Sequence, residues 1–180
     1  MIRKCQDADF ETIYDIVNDA AIAYKGVIAS DFWRVPYMPR EKLRHAMDSG
    51  VEFWGFEEAG ALSGVMGMQT VQDVTLIRHA YVRTNRRHRG IGGQLLQFLL
   101  AQTAAPTLVG TWKAASWAIR FYEKHGFLLV TEEEKNRLLP KYWGVSQRQT
   151  EMSVVLGDRR WFDAARHHRN IGTATPPVAP

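Results

Sequence analysis

Arg87, His88, Arg89, Gly90, Ile91, Gly92 and Gly93 form the stretch whose residue types and spacing bear most directly on chemistry. They follow a mostly apolar, β-branched and aromatic run over residues 76–82. They precede Leu95, Leu96, Leu99 and Leu100, which recur at helical spacing. The expected local structure is a strand, a basic turn and a helix. Glycine lets the backbone turn tightly and approach a ligand closely. The first N–H groups of a helix have no partner within it. Together with the positive end of the helix dipole, they favour an anion, typically a phosphate. Four arginines and one histidine between residues 83 and 90 add charged donors. Arg87 and Arg89 are the arginines expected to add charge to the cradle. The stretch reads as a site for a phosphate-bearing ligand held where a helix begins after a strand.

Two other phosphate motifs fail on their own requirements. A dinucleotide fingerprint needs a third glycine in G-x-G-x-x-G and an acidic residue about twenty positions on. Gly90-Ile91-Gly92-Gly93-Gln94-Leu95 lacks that glycine, and no Asp or Glu occurs between residues 74 and 113. A P-loop needs Gly-Lys followed by Ser or Thr, which is absent here.

The elements that must position this stretch follow from periodicity. Residues 2–6 read as a short strand, and Asp7 and Asp9 suit the start of a helix carrying Phe10, Ile13, Val17 and Ala20 on one face. Residues 25–37 show no period and carry Phe32, Trp33 and Tyr37, expected either to pack under a loop or to wall a substrate pocket. Pro39 and Gly50 bracket a second helix. Residues 51–56 and 61–71 read as a hairpin, with Gly64 and Gly67 marking bulges or close backbone contact. After the central strand and helix come a buried strand over 107–112, a helix over 117–124, a strand over 127–130, an irregular segment over 131–150 and a last strand over 151–156. A short helix is expected over 158–168 and a disordered tail over 170–180, rich in Pro, Ala, Thr and Gly. An early meander followed by strand-helix-strand order predicts an α/β protein of the α+β kind, with a mixed, mostly antiparallel central sheet and helices on both faces.

With 180 residues the chain is long enough for one domain with a sizeable core. The single cysteine, Cys5, excludes an internal disulfide. No leader and no membrane-length apolar run is visible, so the expectation is a cytoplasmic protein with no membrane partner. The net charge of +4 is mild, and the cluster at 83–89 is better explained as a phosphate site than as a nucleic-acid surface. His167 and His168 lack the partner ligands a metal would need, so no metal is expected.

The pattern Arg87-x-x-Gly90-x-Gly92, after a strand ending in Tyr81-Val82, resembles the acyl-CoA-binding signature of the GNAT superfamily of N-acetyltransferases. The run Ala118-Ile119-Arg120-Phe121-Tyr122-Glu123-Lys124-His125-Gly126-Phe127 is similar to that family's second hallmark, one helix and one strand further on. The resemblance implies a domain over residues 1–157 with a C-terminal tail over 158–180. It implies acetyl-CoA lying across a split between the strands ending at Val82 and at Trp112. The backbone of Ala80, Tyr81 and Val82 would pair with the pantetheine arm. The N–H groups of Arg87, His88, Arg89, Gly90, Ile91, Gly92 and Gly93 would hold the pyrophosphate. Tyr122 would be the general acid that protonates the departing thiolate. Phe121 and Phe127 read as core.

The sequence also departs from the family. Branches that use a glutamate base carry it at the positions of Leu76 or Gly110, and neither is acidic here. His79 is the nearest titratable alternative, ahead of Glu52, Glu57 or a water chain. Where many members carry an asparagine that holds the cofactor this chain has Ala115, and Ser116 either substitutes for it or caps its helix. The expected function is direct acetyl transfer to a primary amine of a small or amino-acid-like acceptor, lying between residues 25–37 and 131–150. Alternatives are a protein or peptide N-terminus or lysine as acceptor, or a non-catalytic acyl-CoA-binding module. A homodimer is compatible with all of these.

Overall fold

The computed structural model describes residues 1–171, and side chains as far as Arg166. Seven strands form one sheet: β1 Ile2–Lys4, β2 Glu52–Glu58, β3 Ala61–Val71, β4 Val74–Val82, β5 Thr107–Trp112, β6 Leu128–Leu129 and β7 Ser153–Gly157. Their order is β1-β2-β3-β4-β5-β7-β6. Every neighbouring pair is antiparallel except β4 with β5. The mixed, mostly antiparallel sheet is the expected one.

Successive strand residues point to opposite faces, and the chain uses that alternation to build two layers of core. Met66, Ile77, Val109 and Leu156 face α3 (Ile91–Ala101) and α4 (Ser116–Lys124), meeting Leu95, Leu96, Leu99, Tyr122 and Phe127. Their sequence neighbours point the other way. Val65 meets Ile13, Ile16 and Val17 of α1 (Phe10–Ala21) and Leu43 of α2 (Arg40–Asp48). Leu76, Leu108 and Val155 meet Leu138, Leu139 and Tyr142. Ile13, Ile16, Val17 and Ala20 form one buried stripe at helical spacing, which is why α1 forms and which face it buries. Leu95 and Leu99 are fully buried, and truncating either to Ala costs about 2–5 kcal/mol.

The segment 131–150, expected to be irregular, is largely helical: α5 Glu132–Leu138, a π-helical turn Leu139–Trp143 and α6 Gln147–Glu151. Thr131 and Glu134 form a reciprocal capping box that starts α5. Ser146 caps α6 through the Gln149 N–H. At the C-terminus, α7 spans Arg159–Ile171, three residues past the expected end. Asp158 accepts from the N–H groups of Thr107 and Trp161, and Arg160 bonds Thr107, so the start of α7 is tied to the sheet. Residues 170 and 171, expected to be disordered, belong to this helix, and the rest of the expected tail lies outside the described residues. So do the side chains of His167 and His168. No described helix is long and apolar enough to cross a membrane.

Candidate functional site

The site begins where two strands part. β4 and β5 pair only at Thr75–Thr107, Leu76–Leu108 and Ile77–Val109. β5 continues along β7 to the Trp112–Ser153 pair, so from Arg78 to Val82 one edge of β4 has no strand beside it. On its other edge, toward β3, β4 carries a bulge: Val65 pairs with Tyr81 and Gly67 with Arg78, leaving His79 and Ala80 against Met66. His79 takes a left-handed conformation there, with φ of 52°. A Cβ on Gly67 would lie 2.9 Å from the Arg78 carbonyl oxygen, so glycine lets the strands approach at the bulge. The parting opens a cleft of about 1090 Å³. That is the upper end for a small-molecule site, roughly 300–1,000 Å³, and suits a long ligand.

The basic turn lies along this cleft. Arg87, His88, Gly90, Ile91, Gly92 and Gly93 line it. His88 and Gly90 have φ of 63° and 77°, and such left-handed residues in a turn direct successive N–H groups into an anion-binding concavity. Arg89 is exposed and lies outside the lining. The Arg87 guanidinium donates to the Ala20 carbonyl at 2.7 Å, and Asp19 accepts from the Thr84 N–H at 2.6 Å. One function of Arg87 is therefore to fasten the turn to the end of α1. Lys124 and His125 also line the cleft and were not anticipated, although both stand in the second hallmark run. His125 is held by the Phe121 carbonyl at 2.7 Å from Nδ1, and its Nε2 lies 2.8 Å from where a Cβ on Gly93 would stand.

Tyr122 comes from α4 into the same cleft, its ring packed edge-on against Phe121 and Phe127. Burial raises its phenol well above the ordinary value, as does the neighbouring Tyr24. Phe127 is core as expected, whereas Phe121 packs against the core and also lines the cleft. A ladder of aromatic rings crosses the parting: Trp33 on Tyr37 at 5.8 Å, Tyr37 on Tyr24 at 5.4 Å and Tyr24 on Trp117 at 5.7 Å. Trp112 donates to the Tyr37 hydroxyl at 2.8 Å. Tyr81 interacts with the phenols of Tyr24, Tyr37 and Tyr122, and burial keeps it protonated.

Among the described residues, the lining contains no aspartate or glutamate. His79 lines the cleft and stacks on Phe53 at 5.6 Å. Burial, with the Arg78 charge, pushes its imidazole down to about 4. Leu76 is fully buried beneath the α5 side of the sheet. A Cβ on Gly110 would lie 3.3 Å from the Trp143 ring, which occupies the space a glutamate would need. Ser116 corrects the sequence expectation: it is exposed, outside the lining, and the N-cap of α4 is Ala115. The two expected acceptor segments meet at Asp31–Arg148, 3.3 Å apart, but neither contributes to the cleft lining. Cys5 is also outside the lining, and burial pushes its thiol up to about 12.

Residues 17–140 match the model of the acetyltransferase (GNAT) domain family. No curated protein sequence matches the chain. Among solved structures, a PaiA N-acetyltransferase from Thermoplasma acidophilum in complex with coenzyme A is 17% identical, with a TM-score of 0.64 over 88% of this chain and 97% of that one. The ribosomal-protein-S18-alanine N-acetyltransferase from Escherichia coli is 15% identical, with a TM-score of 0.62 over 88% and 92%. A GNAT-family acetyltransferase from Elizabethkingia anophelis with acetyl-CoA bound is 16% identical, with a TM-score of 0.60 over 88% and 96%. At these identities the likeness is one of fold.

Proposed function

Because this chain belongs to the GNAT acetyltransferase family, whose acyl donor is acetyl-CoA, we propose that it transfers the acetyl group directly to the primary amine of a small acceptor. One observation carries the reading. The unpaired edge of β4, the N–H cradle at the start of α3 and the Tyr122 phenol all line a single cleft. Ala80, Tyr81 and Val82 offer main-chain groups to the pantetheine amides, as one strand does to another. The turn from Arg87 to Gly93 takes the pyrophosphate, with Lys124 and His125 adding donors.

The chemistry asks for two proton movements. The amine lone pair attacks the thioester carbonyl carbon, the C–S bond breaks, and the nitrogen sheds a proton while the sulfur gains one. Tyr122, protonated because it is buried, donates to the departing sulfur. His79 does not serve as the base. Proton transfer from an alkylammonium near pKa 10.4 to an imidazole near 4 is uphill by about six powers of ten, or roughly 8–9 kcal/mol. Its place is structural, in the bulge. The half-buried Cys5 thiol, outside the cleft, argues for direct transfer without an acyl-enzyme. The catalytic unit is placed in residues 1–157, with α7 appended.

Calorimetric binding of acetyl-CoA and steady-state release of CoA with a panel of amines test the proposal. Binding with amine-dependent release supports it. Binding without release from any amine leaves the protein an acyl-CoA-binding module, a reading favoured by the carboxylate-free lining.

A further inference from the structure

The acceptor must be compatible with the walls at the reacting end of the cleft, and those walls have two properties. The first is charge. With no aspartate or glutamate among the described residues of the lining, no carboxylate there pairs with an ammonium or takes its proton. The charged groups that act on the site's side chains are arginines: Arg87 on Tyr24, Arg34 on Tyr37 and Arg78 on His79. Asp31, on the same loop as Trp33, is engaged by Arg148. The second property is shape. Tyr24 and Trp117 line the cleft and begin the ladder that continues through Tyr37 to Trp33, with Phe32 packed on Trp112 at 4.9 Å. Tyr24 stands near enough to Tyr122 for the two phenols to interact, so the end of the ladder that lines the cleft flanks the reacting atoms.

Resting on the acetyltransferase reading above, we infer that the acceptor is a weakly basic amine carried on a planar aromatic body, rather than an alkylamine or a polyamine. The carboxylate-free lining sets the amine. At pH 7.5 an alkylamine near pKa 10.4 is neutral in about one molecule in a thousand, whereas an α-amine near 7.7–8.0 is neutral in about a quarter to two-fifths. A site that supplies a base can use the first, and this one is built for the second. The ladder sets the body, because aromatic surfaces favour stacked or edge-on rings by about 0.5–1.5 kcal/mol beyond area burial. Aromatic faces also attract cations, by about 0.5–2 kcal/mol. Here the arginines beside them oppose a further positive charge.

Four amines separate the two properties: phenylalaninamide, alaninamide, phenethylamine and spermidine, compared by kcat/KM at pH 7.5 with saturating acetyl-CoA. Phenylalaninamide shares its ring with phenethylamine and its weakly basic amine with alaninamide. It is expected to exceed each of the other three by at least about tenfold; against the two alkylamines the neutral fraction alone allows a few hundredfold. Trp117→Ala, at a ring that lines the cleft, should narrow the ratio of phenylalaninamide to alaninamide. Turnover of phenethylamine or spermidine equal to that of phenylalaninamide overturns the inference and leaves the acetyltransferase intact. So does alaninamide matching phenylalaninamide. If acetyl-CoA binds and none of the four is acetylated, the inference falls, and the acetyltransferase reading falls with it only if no amine of the wider panel releases CoA.

Discussion

Two residues of the cleft, Tyr122 and His79, are given opposite kinds of role, and substitution distinguishes them. Tyr122→Phe keeps the ring that packs on Phe121 and Phe127 and removes only the hydroxyl that carries the proton. A positioned acid contributes about 10²–10⁴-fold, so kcat should fall at least a hundredfold in amine-dependent CoA release, with the acetyl-CoA Kd changed less than about threefold. His79→Asn keeps a residue that tolerates the left-handed conformation at φ of 52° and removes the imidazole. Its kcat should stay within about tenfold, and a loss comparable to that of Tyr122→Phe would restore His79 as the base. Gly110 tests whether the missing glutamate can be put back. Gly110→Glu sets a carboxylate against Trp143 and Leu139. An uncompensated buried charge costs several kcal/mol, so thermal denaturation should show a lowered Tm and no gain in turnover.

At the scale of elements, the start of α3 shows how close packing and helix propensity compete. Gly92→Ala and Gly93→Ala both gain up to about 1 kcal/mol of helix propensity. At Gly92 the new methyl meets the Phe121 ring at 3.4 Å, an ordinary contact. At Gly93 it meets His125 at 2.8 Å, and that ring is fixed by the Phe121 carbonyl. Titration calorimetry should therefore find acetyl-CoA affinity nearly unchanged in Gly92→Ala and weakened several-fold in Gly93→Ala, where His125 must leave its place. This cradle was readable in the chain because turn, glycines and helix are contiguous. The strands were readable because alternation and apolar runs are local signals. The helices of residues 131–150 were less so: each is short, and α5 opens on three glutamates that show no apolar stripe. Yet Thr131 and Glu134 carried a capping-box signal that marks where α5 begins. Gly67 marked the bulge from the β3 side, whereas its placement of His79 and the ring ladder had no local signature. The bulge depends on how β3 meets β4, and the ladder gathers Tyr24, Trp33, Tyr37 and Trp117 from both sides of the parted strands.

For the whole molecule, the cleft imposes a cost that appears on acidification. In the unfolded chain His79 takes a proton near its ordinary value of about 6.5, whereas in the folded chain it resists until about 4. Between those values unfolding takes up a proton, so stability falls as the pH falls. This contribution is fully present above about 6.5, declines through the window and is exhausted below about 4, for a total near 3 kcal/mol. Asp9 acts in a different window. Its hydrogen bonds to Arg3 hold the carboxyl below the ordinary carboxylate range, so what it contributes is lost only at lower pH. The two can be separated by urea denaturation of the wild-type protein and of His79→Asn at pH 7 and pH 4.5. The wild type should lose about 2–3 kcal/mol more than the variant between those values, a large part of the 5–15 kcal/mol that holds a typical domain together. Equal losses would mean that the folded protein lets His79 protonate freely, and that the bulge holds its imidazole in water rather than in the wall of the cleft.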